Sequence, residues 1–144
     1  MNDWHDFHRL MATQSEIALA TSRSDTPNVR IVNFCYLPEN PGVLWFATFK
    51  DNTKVAEFEA NSRVAFTTVP YGSTEHVRAS RAEVRKSALS LSEMQDAFIE
   101  KIPSYRDIIA VAGDELVLYE IHFSQADVIL DAQRMGKVEW TDTQ

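Results

Sequence analysis

Apolar positions along the chain change period several times, and each change marks an element. Trp4, Phe7, Leu10 and Met11 fall three, three and one residue apart. That is one face of a helix over residues 3–14, with Asn2 or Asp3 as its cap. From Glu16 the period becomes two. Ile17, Leu19 and Thr21 alternate with Ala18 and Ala20, a strand with one small-residue face. Residues 23–28 hold Ser, Asp, Thr and Pro and read as a turn. Val29 to Leu37 is rich in β-branched and aromatic residues and reads as one strand. Pro38 to Gly42 turns the chain, and Val43 to Phe49 is the next strand.

The second half repeats the mixture. Over residues 51–60, Val55 and Phe58 share one face of a short helix, with Glu57 and Glu59 on another. Arg63 to Val69 is a strand, ended by Pro70-Tyr71-Gly72. Glu75 to Lys86 alternates with both faces mixed, which predicts a strand meeting a second surface besides the core. Ser90 and Glu93 form a capping-box pattern, and Leu91, Met94, Phe98 and Ile102 continue it as a helix. Residues 104–111 read as a further short helix closed by Gly113. Residues 115–130 read as a strand pair or a bent strand, and 137–140 as a terminal strand.

Six or seven strands and three or four helices result. The first three strands are expected to form an antiparallel meander. This is a mainly β chain, a barrel or sandwich with peripheral helices. The regular βαβ alternation of a doubly wound sheet is absent. With 144 residues and no linker or repeat, one domain over residues 1–144 is expected.

Charge narrows the partners. The net charge is -7, which disfavours nucleic acid, whose phosphates need clustered Lys and Arg. The distribution is uneven: residues 23–86 carry net +2 and residues 87–144 net -7. A local anion site in the middle third is compatible with the acidic whole. One cysteine, Cys35, excludes an internal disulfide framework and a cysteine-cluster metal site. Apolar runs are too short for a membrane span and the N-terminus lacks a signal core, so a cytoplasmic protein is expected.

The chemistry-bearing stretch is Val29 to Asn61. Arg30 lies in a strand, Thr48 ends the next one, and Asn52, Thr53 and Lys54 open a helix. A helix start offers unpaired N–H groups and a positive dipole end, to which Thr or Asn adds neutral donors. Lys54 in the first turn is misplaced for the helix alone, because cations favour the other end. A bound phosphate explains it, and pairing of residues 29–37 with 43–49 would bring Arg30 alongside as a planar second charge. The same spacing also fits an ordinary Asp51 or Asn52 cap with a solvated lysine.

Five pieces in order carry a resemblance: Ile17-Ala18-Leu19-Ala20-Thr21-Ser22; Pro27 with Val29-Arg30-Ile31-Val32; Leu44-Trp45-Phe46-Ala47-Thr48; Asn52-Thr53-Lys54; and Asn61 before Val64-Ala65-Phe66. Together, over about 55 residues, they resemble the pyridoxamine 5'-phosphate oxidase-like superfamily of FMN-binding split β-barrels, most closely its small general-stress-protein type. The resemblance implies a six- to seven-stranded antiparallel split β-barrel and a homodimer with two FMN sites at the subunit interface. It implies that Arg30, Thr53 and Lys54 grip the FMN phosphate, with Asn52 in the same helix-start motif. It also implies that Ile31, Val32 and Asn33, and Phe46, Ala47 and Thr48, pass along the ribityl chain and ring, bonding the ring through backbone groups. The activity implied is flavin-dependent oxidoreduction of a small molecule, with an electron donor such as NAD(P)H and no protein nucleophile. A flavin-binding module without turnover, or the same barrel with deazaflavin or haem, is the alternative. Asn52 stands where the family commonly has Ser, and Thr53 where it often has Arg. The Trp followed by Arg-Leu-x-Pro of the true vitamin B6 oxidases is missing, since Arg134 precedes Trp140.

Other residues read as structural. His76 and His122 lack a partner at metal-ligand spacing, and His5 and His8 sit on an amphipathic helix. Cys35 reads as a packing residue. Trp45 and Phe46 face opposite ways, so one of them is expected in the core. Arg78, Arg81 and Arg85 face solvent, a second subunit or an anion.

Overall fold

The protein is described by a computed structural model, which covers residues 2–140. Its chain order is α1 (Asp3–Thr13), β1 (Glu16–Arg23), β2 (Thr26–Asn33), β3 (Cys35–Tyr36), β4 (Val43–Phe49), α2 (Thr53–Ala60), β5 (Arg63–Thr68) and β6 (His76–Lys86). There follow α3 (Leu91–Lys101), α4 (Tyr105–Ala112), a 3-10 turn (Gly113–Glu115), β7 (Leu116–Phe123), β8 (Gln125–Ile129) and β9 (Met135–Glu139). The strands form one antiparallel curled sheet ordered β2-β1-β5-β6-β7-β4-β3, with β8 beside β6 and β9 beside β8. The fold class expected from the sequence is observed: a mainly β half-barrel with helices around it. Strands number nine among the described residues because two predicted strands are each cut in two.

The first cut corrects the expected 29–37 strand. Phe34 is fully buried, and its N–H bonds the Ser15 carbonyl. Before it, β2 pairs with β1 over its whole length. After it, only Cys35 and Tyr36 pair with β4, opposite Trp45 and Leu44. The expected three-strand meander is therefore replaced: β4 lies against β3 and β7. The β1–β2 turn is shorter than expected, only Ser24 and Asp25, both at positive φ. This is the tight hairpin geometry that right-twisted strands favour.

The mixed faces of β6 come from a bulge. Val64 pairs with Ala82, and Phe66 with Ala79, so Ser80 and Arg81 together oppose Ala65. Both bulge residues are exposed, and the buried phase shifts from Val77 and Ala79 to Ala82 and Val84. The bulge thus accounts for what the alternation attributed to a second surface.

Two hydrophobic clusters sit on the two sides of β4. Phe46 enters the barrel core with Phe58 and Tyr119, at ring distances of 5.7 and 5.9 Å. Trp45 faces the other way yet is also buried, under α3 with Leu91, Met94 and Phe98. One of the two was expected in the core, and both are buried, because the helical hairpin α3–α4 supplies a second core. Each such side chain contributes roughly 1.5–3 kcal/mol by burial.

Lys101, at the end of α3, ties the two clusters. Its ammonium donates to the Met11 carbonyl at 2.9 Å and stands 3.5 Å from the Phe34 ring centre. Met11 is in the last turn of α1, so the lysine satisfies a helix-end carbonyl. Burial pulls its pKa down to about 8. The sign follows: between about 8 and 10.5 the unfolded chain holds a proton that the folded chain has lost, so stability rises with pH. Thermal melts at pH 7.5 and 10 are expected to show that gain, and Lys101→Met is expected to flatten it. An equal pH slope in the variant would show that Lys101 does not carry the effect.

Candidate functional site

Alternation fixes the site's geometry. In the β1–β2 hairpin, Leu19 pairs with Arg30, Thr21 with Asn28, and Ile17 with Val32. Leu19 and Ile17 are fully buried, so Arg30, Asn28 and Thr21 face inward at one end of the barrel. Helix α2 closes that end. Asn52 caps it, its side chain accepting from the Lys54 N–H at 2.9 Å. Phe58 of α2 enters the core, and Glu57 is buried beside it.

Glu57 is the residue that the sequence pattern gave no role, and it is buried. It accepts from Thr21 at 3.1 Å and Asn28 at 3.2 Å, and Arg30 pairs with the same carboxylate. Burial works against its charge, but the Asn28 hydrogen bond, the Arg30 charge and the Thr21 hydrogen bond together hold its pKa below the usual value. The available signal was its position one turn after Lys54, which puts both residues on one side of the helix.

Arg30 therefore reaches α2 by pairing with β1, not by the expected pairing of 29–37 with 43–49. It also donates to Thr21 Oγ1 at 2.7 Å. These two bonds leave further guanidinium N–H groups for an outside acceptor. Lys54 is half-buried, and its pKa is lowered by desolvation first and then by the Arg30 charge. Two cations thus stand close at the start of α2, one of them partly stripped of water. An anion placed there would relieve both costs. The residues fit a phosphate group on this ground.

The remaining predicted residues divide. Thr53 is exposed beside the cap. Val32 and Phe46 put their side chains in the core, and Ile31 points outward, 55% exposed. Asn33 and Ala47 are half-buried. Thr48 is buried, and its hydroxyl has no hydrogen-bond partner among the described residues. What these segments share is backbone. The β2–β3 run bonds β1 along one edge and β4 along the other, but the second contact lasts only two residues. Among the described residues, β2, and β4 beyond Trp45, leave unpaired edges on the side between them. Arg30 and Lys54 stand at the end of that split. Unpaired strand edges of this kind present a row of donors and acceptors to a planar polar ligand.

Among the described residues no three His, Cys, Asp or Glu side chains gather into a metal site. His122 instead bonds Glu120, with Nε2 and Oε1 2.7 Å apart, and His8 bonds Tyr36. Cys35 is buried in the second cluster, as expected of a packing residue, and burial raises its thiol pKa. No helix of the described residues is long and apolar enough to cross a membrane.

Comparison with known proteins bears on the fold. The chain superposes on a haem binding protein from Mycobacterium smegmatis with TM-score 0.75 and 10% identity, over 96% of this chain and 58% of that one. It therefore spans little more than half of that protein. It superposes on General Stress Protein 26 from Bacillus anthracis with TM-score 0.69 and 16% identity, over 96% and 100%. A FAD-binding protein from Mesorhizobium loti gives TM-score 0.66 and 14% identity, over 92% of each chain. At these identities the likeness concerns the fold. A search of the curated proteins finds no match. The family model described as pyridoxamine 5'-phosphate oxidase-like matches residues 10–136, and the chain belongs to that family.

Proposed function

We propose that this chain binds FMN in the β2–β4 split and acts, as a cytoplasmic homodimer, as a flavin-dependent oxidoreductase on a small molecule. The observation that carries the reading is the meeting of Arg30 and Lys54 at the start of α2, at the end of two unpaired strand edges. Arg30, locked by Glu57 and Thr21, offers its remaining N–H groups to the phosphate, and Lys54 adds a point charge. Thr53 adds a hydroxyl at the exposed helix start. Backbone groups of residues 31–33 and 46–48 hold the ring's polar edge, which explains why Val32 and Phe46 are free to fill the core. Bound flavin would supply two-electron redox chemistry; the chain's own work is to bind, orient and shield it.

The homodimer reading rests on the outer face of the hairpin. Ala18 pairs with Ile31 and Ala20 with Val29, and β5 continues that face with Ala65 and Thr67. Val29 is 64% exposed and Ile31 55%, beside small half-buried residues. A second copy laid there would cover an apolar surface and complete the site from outside.

Haem is the second reading, because the fold is shared with a protein described as haem binding. The purified protein's spectrum and the mass of the molecule released on denaturation separate the two. Flavin bands in the blue and near ultraviolet with released FMN are expected. A Soret band with released haem would replace the flavin reading.

A further inference from the structure

A cavity of about 610 Å³ shares no lining residue with the Arg30–Lys54 cradle. It forms where β6 changes partner. Residues 76–78 pair with β8 and residues 82–86 with β7, and the Ser80–Arg81 bulge stands between them. The sheet forks there, and the fork is the cavity. Gly42 lies on one wall with Trp140 packed so closely over it that a Cβ would overlap the indole.

The charge of the fork is unusual for an acidic chain. Arg63, Arg81 and Arg85 line it, with Glu39 and Glu83 as the carboxylates. Arg63 and Arg81 make no ion pair among the described residues. Arg85 approaches Glu83 at only 3.9 Å, with both side chains more than half exposed. Glu120, which pairs with Arg85 in register, is instead committed to Ser87 and His122. Bulges are often placed where a strand must re-aim a side chain, and this one turns Arg81 outward beside the cavity. All three cations are arginines, whose planar fork matches phosphate and carboxylate oxygens. The volume falls within the roughly 300–1,000 Å³ of small-molecule sites.

We propose that this fork is a second ligand site, distinct from the α2 cradle, that takes a small phosphorylated or polycarboxylated metabolite. The proposal does not depend on the flavin reading. Inorganic pyrophosphate is the probe, titrated into the purified full chain by calorimetry and by amide NMR shifts. Saturable binding is expected, with shifts at Ser80–Arg85 and at the 40–43 loop. Arg63→Gln with Arg81→Gln is expected to weaken it at least about tenfold, as loss of charge-assisted hydrogen bonds requires, while Lys54→Ala leaves it unchanged. Both arginines are exposed, so the fold tolerates their loss. Absence of saturable binding overturns the proposal. So does binding that the arginine double variant leaves within about twofold of the original, or that Lys54→Ala removes.

Discussion

Glu57→Ala is expected to lower stability by about 3–5 kcal/mol, the usual cost of leaving a buried charge without its partner. Glu57 is 7% exposed, and the Arg30 side chain only 17%. Removing the carboxylate strands the guanidinium under α2 and leaves Thr21 and Asn28 without their acceptor. Replacing both ends with apolar residues, Glu57→Leu with Arg30→Met, is expected to cost less than Glu57→Ala alone, because no charge is then left buried. Acid gives an independent check. The folded pKa of Glu57 lies below its ordinary 4.5, so its contribution is present above that value and is lost as pH falls through the folded pKa. Glu57→Gln is expected to melt with a weaker dependence on pH below about 4.5 than the original chain. A Glu57→Ala variant that melts within about 2 °C of the original at pH 7 would contradict the assigned lock.

Local signals in the sequence were enough for the helices. The three-and-four spacing of Leu91, Met94 and Phe98 and the Ser90–Glu93 capping box predict α3, and both halves of that box are formed. Alternation likewise gave β1, and the structure turns its Ile17 and Leu19 inward. Partner choice was not legible. Whether residues 29–37 stay with β1 or pass to β4 depends on Phe34 finding the core, a long-range event that leaves no local mark. The bulge at Ser80–Arg81 was visible only as a broken alternation, which fits a two-sided strand equally well. Trp45 and Phe46 point opposite ways, and only the arrival of α3 decides that both are buried. The site was half legible. Lys54 in a first helical turn is a local anomaly and was legible as a candidate. Glu57 was not, because an acidic residue beside Glu59 on a short helix looks solvated until Arg30 is known to lie beneath it.

Lys54→Ala is expected to weaken FMN binding by about ten- to 150-fold, the range for one charge-assisted hydrogen bond of roughly 1.5–3 kcal/mol. Adding Arg30→Gln is expected to bring the loss to about 10²–10⁴-fold. Riboflavin lacks the phosphate, so its affinity should stay nearly constant across the same variants. The ratio of the two affinities, measured by quenching of flavin fluorescence, therefore isolates the cradle from any general loosening of the split. Stability makes the same distinction. Lys54 is partly desolvated beside Arg30, so removing it relieves repulsion and is expected to leave the melting temperature level or higher. Salt should weaken FMN and spare riboflavin, since screening acts on the exposed phosphate and not on the ring. A phosphate held by these two cations cannot keep its preference once both are gone. If FMN and riboflavin weaken in parallel, the phosphate does not rest at the start of α2, and the paired cations there serve only to dock the helix.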